Sequence, residues 1–220
     1  MPDSTKTAAT GLHFYHAPNS RSGGTRVLFE ELGAPHEMHV LDLKAGTQRR
    51  PDYLAVNPLG KVPAIVHDGA LITEQPAIFI YLADLFPEKG LAPAIGDPLR
   101  GPYLRFLVYY GSSFEPAVID RSMKREPAPN SSSPYGDFDS MLGVVVGALR
   151  KGPYLLGDRF SAADVLWGTA LRWTTMFKLV PELPEIMQYV ARLGDRPAFV
   201  RAAAKDAKLA AAQAAAAPKA

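Results

Sequence analysis

The first 86 residues carry a pattern of apolar and polar positions that predicts strands alternating with helices. Short apolar alternations predict strands at residues 12–16 and 36–43. Between them, after a loop over residues 17–25, apolar residues at helical spacing predict a helix that begins at Arg26 and ends at Gly33. The chain is therefore predicted to start with a βαβ unit.

A hairpin is predicted to follow this unit. The dipeptide Asp68-Gly69 favours a tight turn and separates two strand patterns, at residues 62–67 and 70–73. Apolar residues at helical spacing then predict a helix over residues 77–86. The predicted order is βαβ, a connecting segment, and ββα.

From residue 99 onward the periodicity is only helical. Predicted helices cover residues 99–121 with a bend near Pro116, 138–150, a segment opened by a capping-box pattern at Ser161 and Asp164, 184–193 and 197–209. The sequence thus predicts an α/β domain followed by an all-helical domain. The predicted boundaries are a flexible N-terminus (1–10), the α/β domain (11–86), a linker (87–98), the helical domain (99–210) and an Ala-rich tail that frays (211–220).

Composition excludes several classes of function. The 24 Lys and Arg nearly balance the 22 Asp and Glu, and no run of like charge is present, so neither a nucleic acid nor a membrane is expected as a partner. The polar N-terminus has no apolar export segment, which makes the cytoplasm the expected location. The chain has no cysteine, so it cannot supply a thiol nucleophile, a redox Cys-x-x-Cys pair or Cys-ligated zinc.

Two short stretches suggest a site for a peptide-like ligand. If the Val62-Pro63 peptide is cis, the backbone N–H and C=O of Val62 project together, and an extended ligand can pair with them as an added strand. Pro76 suits the first turn of a helix, which makes Gln75 the expected N-cap. Glu74 and Gln75 at this helix end could hold the ammonium and carboxylate of an amino-acid head group.

These stretches and one further motif resemble the glutathione transferase superfamily. Asn57-Pro-x-Gly-Lys-Val-Pro-Ala-Ile65 is similar to its cis-proline segment, and Thr73-Glu-Gln-Pro-Ala-Ile78 with Tyr81-Leu-Ala-Asp84 is similar to its Glu-Ser-x-Ala-Ile-x-x-Tyr-Leu motif. Phe160-Ser-x-Ala-Asp164 is similar to the capping box of the helical domain of that family. The departure is Gln75, where the family usually has Ser.

The resemblance implies a thioredoxin-like N-terminal domain, an all-helical C-terminal domain and a homodimer. It implies glutathione as substrate, with Val62 and Pro63 at its cysteinyl backbone and Glu74 and Gln75 at its γ-glutamyl end. Lys61, beside the ledge formed by the backbone of Val62-Pro63, is the first candidate partner for the glycyl carboxylate.

In such transferases the thiolate of bound glutathione attacks an electrophile, and a hydroxyl donor after the first strand stabilises it. Two criteria for the position of this donor disagree: the distance back from Gly33 favours Ser22, whereas the local sequence Pro-Asn-Ser-Arg21 favours Ser20. Asn19 and Tyr15 rank behind these two serines. The resemblance therefore implies a serine-type rather than a cysteine-type enzyme.

A second substrate is expected against the helical domain. Four aromatic residues on its first helix are candidates to line an apolar pocket: Phe106, Tyr109, Tyr110 and Phe114. Their spacing also suits ordinary packing between helices. The histidines show no metal-ligand spacing, so no metal is expected, and they are predicted to be surface or strand-edge residues: His13, His16, His36, His39 and His67.

The first hypothesis is a glutathione transferase acting on a small hydrophobic electrophile in detoxification. A non-catalytic binding or regulatory protein of the same fold is the alternative from another class. A third hypothesis is a glutathione-dependent reductase, peroxidase or dehalogenase, which needs no thiol from the protein.

Overall fold

A computed structural model describes residues 11–126 and 128–216. The predicted flexible N-terminus (1–10) and the last four residues of the predicted tail lie outside the described residues. Four strands form one sheet in the order β2-β1-β3-β4, with β1 parallel to β2 and the other pairs antiparallel. The strands are β1 (Leu12–His16), β2 (Glu37–Val40), β3 (Ala64–His67) and β4 (Ala70–Ile72).

The turn between β3 and β4 has the geometry that the sequence predicts. Asp68 has a φ of 49° and Gly69 a φ of 82°, the two left-handed residues that a tight hairpin turn requires. The predicted hairpin is therefore confirmed.

Three helices connect and flank these strands: α1 (Ser22–Leu32), α2 (Pro51–Val56) and α3 (Gln75–Leu85). Helix α1 ends as predicted at Gly33, whose φ of 60° lets its N–H reach the Phe29 carbonyl. It begins at Ser22, four residues earlier than predicted, because tertiary contacts override the low helix propensity of Gly23-Gly24. The sheet and helices form the thioredoxin-like α/β arrangement that the resemblance implied.

The remaining helices begin with α4 (Arg100–Tyr109). A π-helical turn over Tyr110–Phe114 separates it from α5 (Glu115–Ser122). Pro116 has no N–H to donate back to the preceding turn, and the wider π turn accommodates this missing bond at the predicted bend. Then follow α6 (Phe138–Leu149), α7 (Ala162–Met176), α8 (Pro184–Gly194) and α9 (Pro197–Ala216).

The predicted capping box is present at the start of α7. The Ser161 N–H donates to Asp164 Oδ2 over 2.8 Å, and Asp164 Oδ1 accepts from the Leu155 N–H and the Tyr189 hydroxyl. The Asp164 carboxylate therefore joins the N-terminus of α7 to the preceding loop and to α8.

The described residues divide into two compact units. One contains residues up to Phe86 together with those from Arg196 onward, and the other is Pro87–Asp195. The sequence analysis assigned residues 197–209 to the helical domain, but α9 packs on α1 of the first unit. Glu31 accepts two hydrogen bonds from Arg196, at 2.7 and 3.0 Å, and Glu30 pairs with Arg201 and Lys205. Helix α9 also continues to Ala216, so residues 211–216 of the predicted tail are helical.

Within residues 11–126 and 128–216, no helix has the length and apolar character that crossing a bilayer requires.

Candidate functional site

The loop after β1 is held by the Ser22 hydroxyl, which is completely buried. Its oxygen lies 3.0 Å from the Ala17 N–H that donates to it, 2.9 Å from His16 Nδ1 and 2.7 Å from Ser20 Oγ. A serine so enclosed has no path to a ligand without a change in the loop. Ser22 therefore holds the loop in shape from the protein interior.

His16 continues this network to helix α9. Its Nε2 lies 3.1 Å from Asp206 Oδ1, which also accepts from Arg26 Nη1 over 2.7 Å. Because an ionised carboxylate only accepts, Nε2 of His16 donates in its hydrogen bond with Asp206. His16 is completely buried, Arg26 nearly so, and Asp206 is 20% exposed. The prediction that all five histidines are surface or strand-edge residues is wrong for His16 and for the buried His67.

Ser20 and Asn19 lie on the outer side of the same loop. Ser20 is half-buried, and its hydroxyl is 2.7 Å from both the Ala17 carbonyl and Ser22 Oγ. Asn19 is exposed in a left-handed conformation with a φ of 57°. Asn19 and its neighbour Pro18 border a cavity of about 410 Å³. The other lining residues come from the loop after β2 and from α9: Asp42, Leu43, Lys44, Ala45, Ala210, Gln213, Ala214 and Ala216.

The predicted ledge lies beside this loop. The Val62-Pro63 peptide is cis. Tyr15 pairs with Ala64 in the β1–β3 register, so continuing that register places Val62 next to Ala17. Neither the N–H nor the C=O of Val62 has a hydrogen-bond partner among the described residues.

The residues just before Val62 hold the ledge in place. The carbonyl of Lys61 accepts from the Tyr53 hydroxyl over 2.6 Å and from Asn57 Nδ2 over 2.9 Å, whereas the Lys61 side chain is exposed. Gly60 has a φ of 62°, and a Cβ there would lie 2.8 Å from the Gln48 carbonyl oxygen. Only glycine fits this close approach, which explains its place in the motif.

The N-terminus of α3 meets the same loop. The N-cap is Glu74, not Gln75 as predicted, and Gln75 is the first helical residue. The buried Gln75 side chain donates from Nε2 to the Arg21 carbonyl over 2.9 Å, so it joins the start of α3 to the start of α1. Glu74 is exposed and has a φ of 61°, an uncommon value for a residue with a side chain, and such outliers concentrate at functional sites.

Tyr15 is not brought together with the serines. Its ring stacks on His39 at 4.6 Å and contacts Tyr53 at 5.3 Å. Burial, and then the charge of Glu37, raise the pKa of the Tyr15 hydroxyl. Because neighbouring residues of a strand point to opposite faces, Tyr15 lies on the face opposite His16.

Three of the four predicted pocket aromatics form the core of the second unit. Phe106, Tyr110 and Phe114 are at most 4% exposed. Tyr110 and Phe114 pack on the buried indole of Trp167, which donates to the Phe106 carbonyl. Side chains this enclosed do not line an open pocket, so helix packing explains their spacing. The half-buried Tyr109 donates its hydroxyl to the Met141 carbonyl over 3.1 Å.

The sequence analysis missed the roles of His16 and Asp206. Strand alternation carries a signal for His16, since it falls on the same face as the buried Leu12 and Phe14. No sequence pattern connects Asp206 with a loop 190 residues earlier.

Comparisons with known proteins agree with this architecture. The sequence models of the glutathione S-transferase N-terminal and C-terminal domains match residues 10–84 and 135–197. The chain is 29% identical to glutathione S-transferase GstA of Escherichia coli O157:H7 over 189 residues, which cover 84% of this chain and 94% of that protein.

Solved structures extend the likeness to three dimensions. A glutathione transferase from Methylococcus capsulatus strain Bath has a TM-score of 0.75 and 32% identity, covering 89% of this chain and 98% of that one. A sphingomonad glutathione S-transferase in complex with glutathione has a TM-score of 0.73 and 30% identity, covering 89% of this chain and 98% of that one. The two matching domains, in the same order and with the same fold, establish that this chain belongs to the glutathione S-transferase superfamily.

Proposed function

We propose that this protein is a glutathione transferase of the serine type. The observation that carries the proposal is the unpaired backbone of Val62, which lies beside the Ser20 loop and provides the donor and acceptor that a peptide backbone needs. The similarity to a sphingomonad enzyme solved with glutathione supports the choice of this tripeptide.

Glu74 is proposed to bind the γ-glutamyl ammonium of glutathione. Its exposed side chain stands at the N-cap of α3, in an uncommon backbone conformation with a φ of 61°. The first backbone amides of α3 can receive the neighbouring carboxylate of the ligand. The Gln75 side chain is engaged by Arg21, so we assign it the role of joining α3 to the loop rather than of holding the ligand. Lys61 remains the proposed partner of the glycyl carboxylate.

Ser20 is proposed to stabilise the thiolate. It is the more accessible of the two serines, and its hydroxyl can turn from the Ala17 carbonyl toward a sulfur. A hydrogen bond to the charged thiolate favours it over the thiol, so the thiol releases its proton to solvent more readily. The thiolate then attacks the electrophile and forms a carbon–sulfur bond as the leaving group departs. Ser22, His16 and Asp206 hold the loop in position.

The second substrate is proposed to be a small hydrophobic electrophile. The half-buried Tyr109 remains the candidate of the helical domain for contact with it. We also propose that the protein is a homodimer located in the cytoplasm, because it belongs to this superfamily.

Retention on immobilised glutathione tests the binding site. The wild-type protein should be retained and eluted by free glutathione. Glu74→Ala should lose retention, because it removes the one proposed partner of the ligand ammonium, and its affinity should fall by about tenfold or more. Glu88→Ala, which changes another exposed glutamate outside the site, should be retained like the wild type. Equal retention of Glu74→Ala and wild type would contradict the proposed site.

A further inference from the structure

Strands β1 and β2 bring together two histidines and a glutamate that are distant in sequence. The two strands are parallel, with His13 opposite Glu37 and Tyr15 opposite His39. Residues 37 and 39 are two apart on β2, so they point to the same face of the sheet. His13 points there too, since it alternates with the buried Leu12 and Phe14. The cluster therefore lies on the face of the sheet opposite the His16 network.

The distances within the cluster suit a tetrahedral metal ion. His13 Nδ1 lies 3.1 Å from His39 Nε2, His13 Nδ1 lies 3.5 Å from Glu37 Oε2, and His39 Nε2 lies 3.5 Å from Glu37 Oε1. Two ligand atoms that are each about 2.05 Å from zinc in a tetrahedron are about 3.3 Å apart. The three side chains thus need only small adjustments to share one ion.

Neighbouring rings hold the donors in place. The His39 ring stacks on Tyr15 with an interplanar angle of 17°, and Tyr15 contacts the buried Tyr53. The His13 and His39 rings are 5.2 Å apart at their centroids. Because the donors stand on paired strands rather than on a loop, little conformational entropy is lost when an ion binds.

The kind of donor selects the kind of ion. Two imidazole nitrogens and one carboxylate suit zinc and other late divalent transition metals, whereas Mg²⁺ and Ca²⁺ prefer sites made only of oxygen. A site with three protein ligands leaves a fourth position for water. Glu37 is largely exposed, so an ion can enter from solvent.

We propose that His13, Glu37 and His39 form a surface binding site for one divalent transition-metal ion such as Zn²⁺. The site joins β1 to β2 and is separate from the proposed glutathione site. It differs from the prediction of no metal site, because the strand register, and not the spacing along the chain, brings the three ligands together.

Calorimetric titration with Zn²⁺ tests the proposal, on full-length protein without an affinity tag and stripped of metal by a chelator. The wild type should bind one equivalent. Glu37→Gln and His39→Gln should each weaken binding by about tenfold or more, since removing a direct ligand costs at least as much as removing an outer partner. Glu88→Gln is the matched control and should bind like the wild type.

A spectroscopic measurement on the same proteins identifies the ligands. Co²⁺ should give the intense visible bands of a tetrahedral site in the wild type and in Glu88→Gln, but not in His39→Gln. Retention on glutathione should be the same in all four proteins, which separates this proposal from the proposed function and shows that the variants fold. Absence of stoichiometric Zn²⁺ binding in the wild type, or unchanged affinity in both ligand variants, would overturn the proposal, because the two imidazoles then merely share a hydrogen bond.

Discussion

Ser20 and Ser22 lie two residues apart in the chain but in opposite surroundings. Ser22 is completely buried and hydrogen-bonded to the backbone and to His16, whereas Ser20 is half-buried at the outer side of the loop. The spacing from Gly33 and the local sequence favour different serines as the residue that contacts the thiol. Only burial, which depends on α1 and α9, separates their roles.

Ser20→Ala should therefore raise the pKa of the bound glutathione thiol. One hydrogen bond to a charged group contributes about 1.5–3 kcal/mol, which corresponds to a pKa change of about one to two units. The thiolate absorbance of the complex, titrated against pH, measures this change.

Ser22→Ala is the matched control, because it should act on stability instead. It leaves the Ala17 N–H and His16 without their buried partner, which should lower the free energy of unfolding by about 1–3 kcal/mol. A thiol pKa that moves in Ser22→Ala but not in Ser20→Ala would reverse the assignment.

At the scale of elements, helix α9 completes the first unit. Arg201 of this helix pairs with Glu30 of α1, and Arg196, just before the helix, pairs with Glu31. Asp206 reaches the buried Arg26 and His16. Burial alone would raise the pKa of Glu30, but hydrogen bonds from Lys205 and Arg201 outweigh it and hold that pKa below its usual range. Apolar periodicity predicted this helix from Pro197, yet it carries no information about which unit the helix packs on.

Asp206→Ala should be strongly destabilising. It leaves the Arg26 guanidinium buried without its carboxylate and removes the acceptor for His16. The free energy of unfolding should fall by about 2–4 kcal/mol, which is less than for a fully buried ion pair because Asp206 is 20% exposed. Urea unfolding measures this loss.

Arg201→Ala on the same helix is the control for this prediction. Its ion pair with Glu30 is exposed on the arginine side, so the free energy of unfolding should fall by less than about 1 kcal/mol. Equal losses in the two variants would mean that the buried network contributes no more than a surface ion pair.

At the scale of the whole molecule, the stability of the second unit depends on a buried carboxyl. Burial raises the pKa of Asp164 to about 6, against the effect of its hydrogen bonds from Leu155, Tyr189 and Ser161. The pKa in the unfolded chain is about 3.9, so the folded state binds the proton more tightly. This group therefore favours folding most below pH 4, and its contribution falls as pH rises from about 4 to about 6.

Asp164→Asn should remove this pH dependence. The free-energy difference between wild type and variant, from urea unfolding at pH 4 to 8, should change by on the order of 2–3 kcal/mol between pH 4 and 6.5 and stay constant above. Above pH 6 the variant should also be less stable than the wild type, because an amide cannot accept all the hydrogen bonds of the carboxylate. Parallel stability curves would contradict a raised pKa.

The sequence by itself determined the order and type of most elements, since alternation, helical spacing, the Asp68-Gly69 turn and the Ser161 capping box are local patterns. It also determined the superfamily, because the motif around Val62-Pro63 constrains a local backbone shape. Tertiary structure decided that Ser22 is enclosed, that Gln75 binds a carbonyl of the loop and that Asp206 binds His16. It also decided that His13, Glu37 and His39 meet. These contacts join residues far apart in sequence, and their hydrogen bonds and burial arise only when packing brings the elements together.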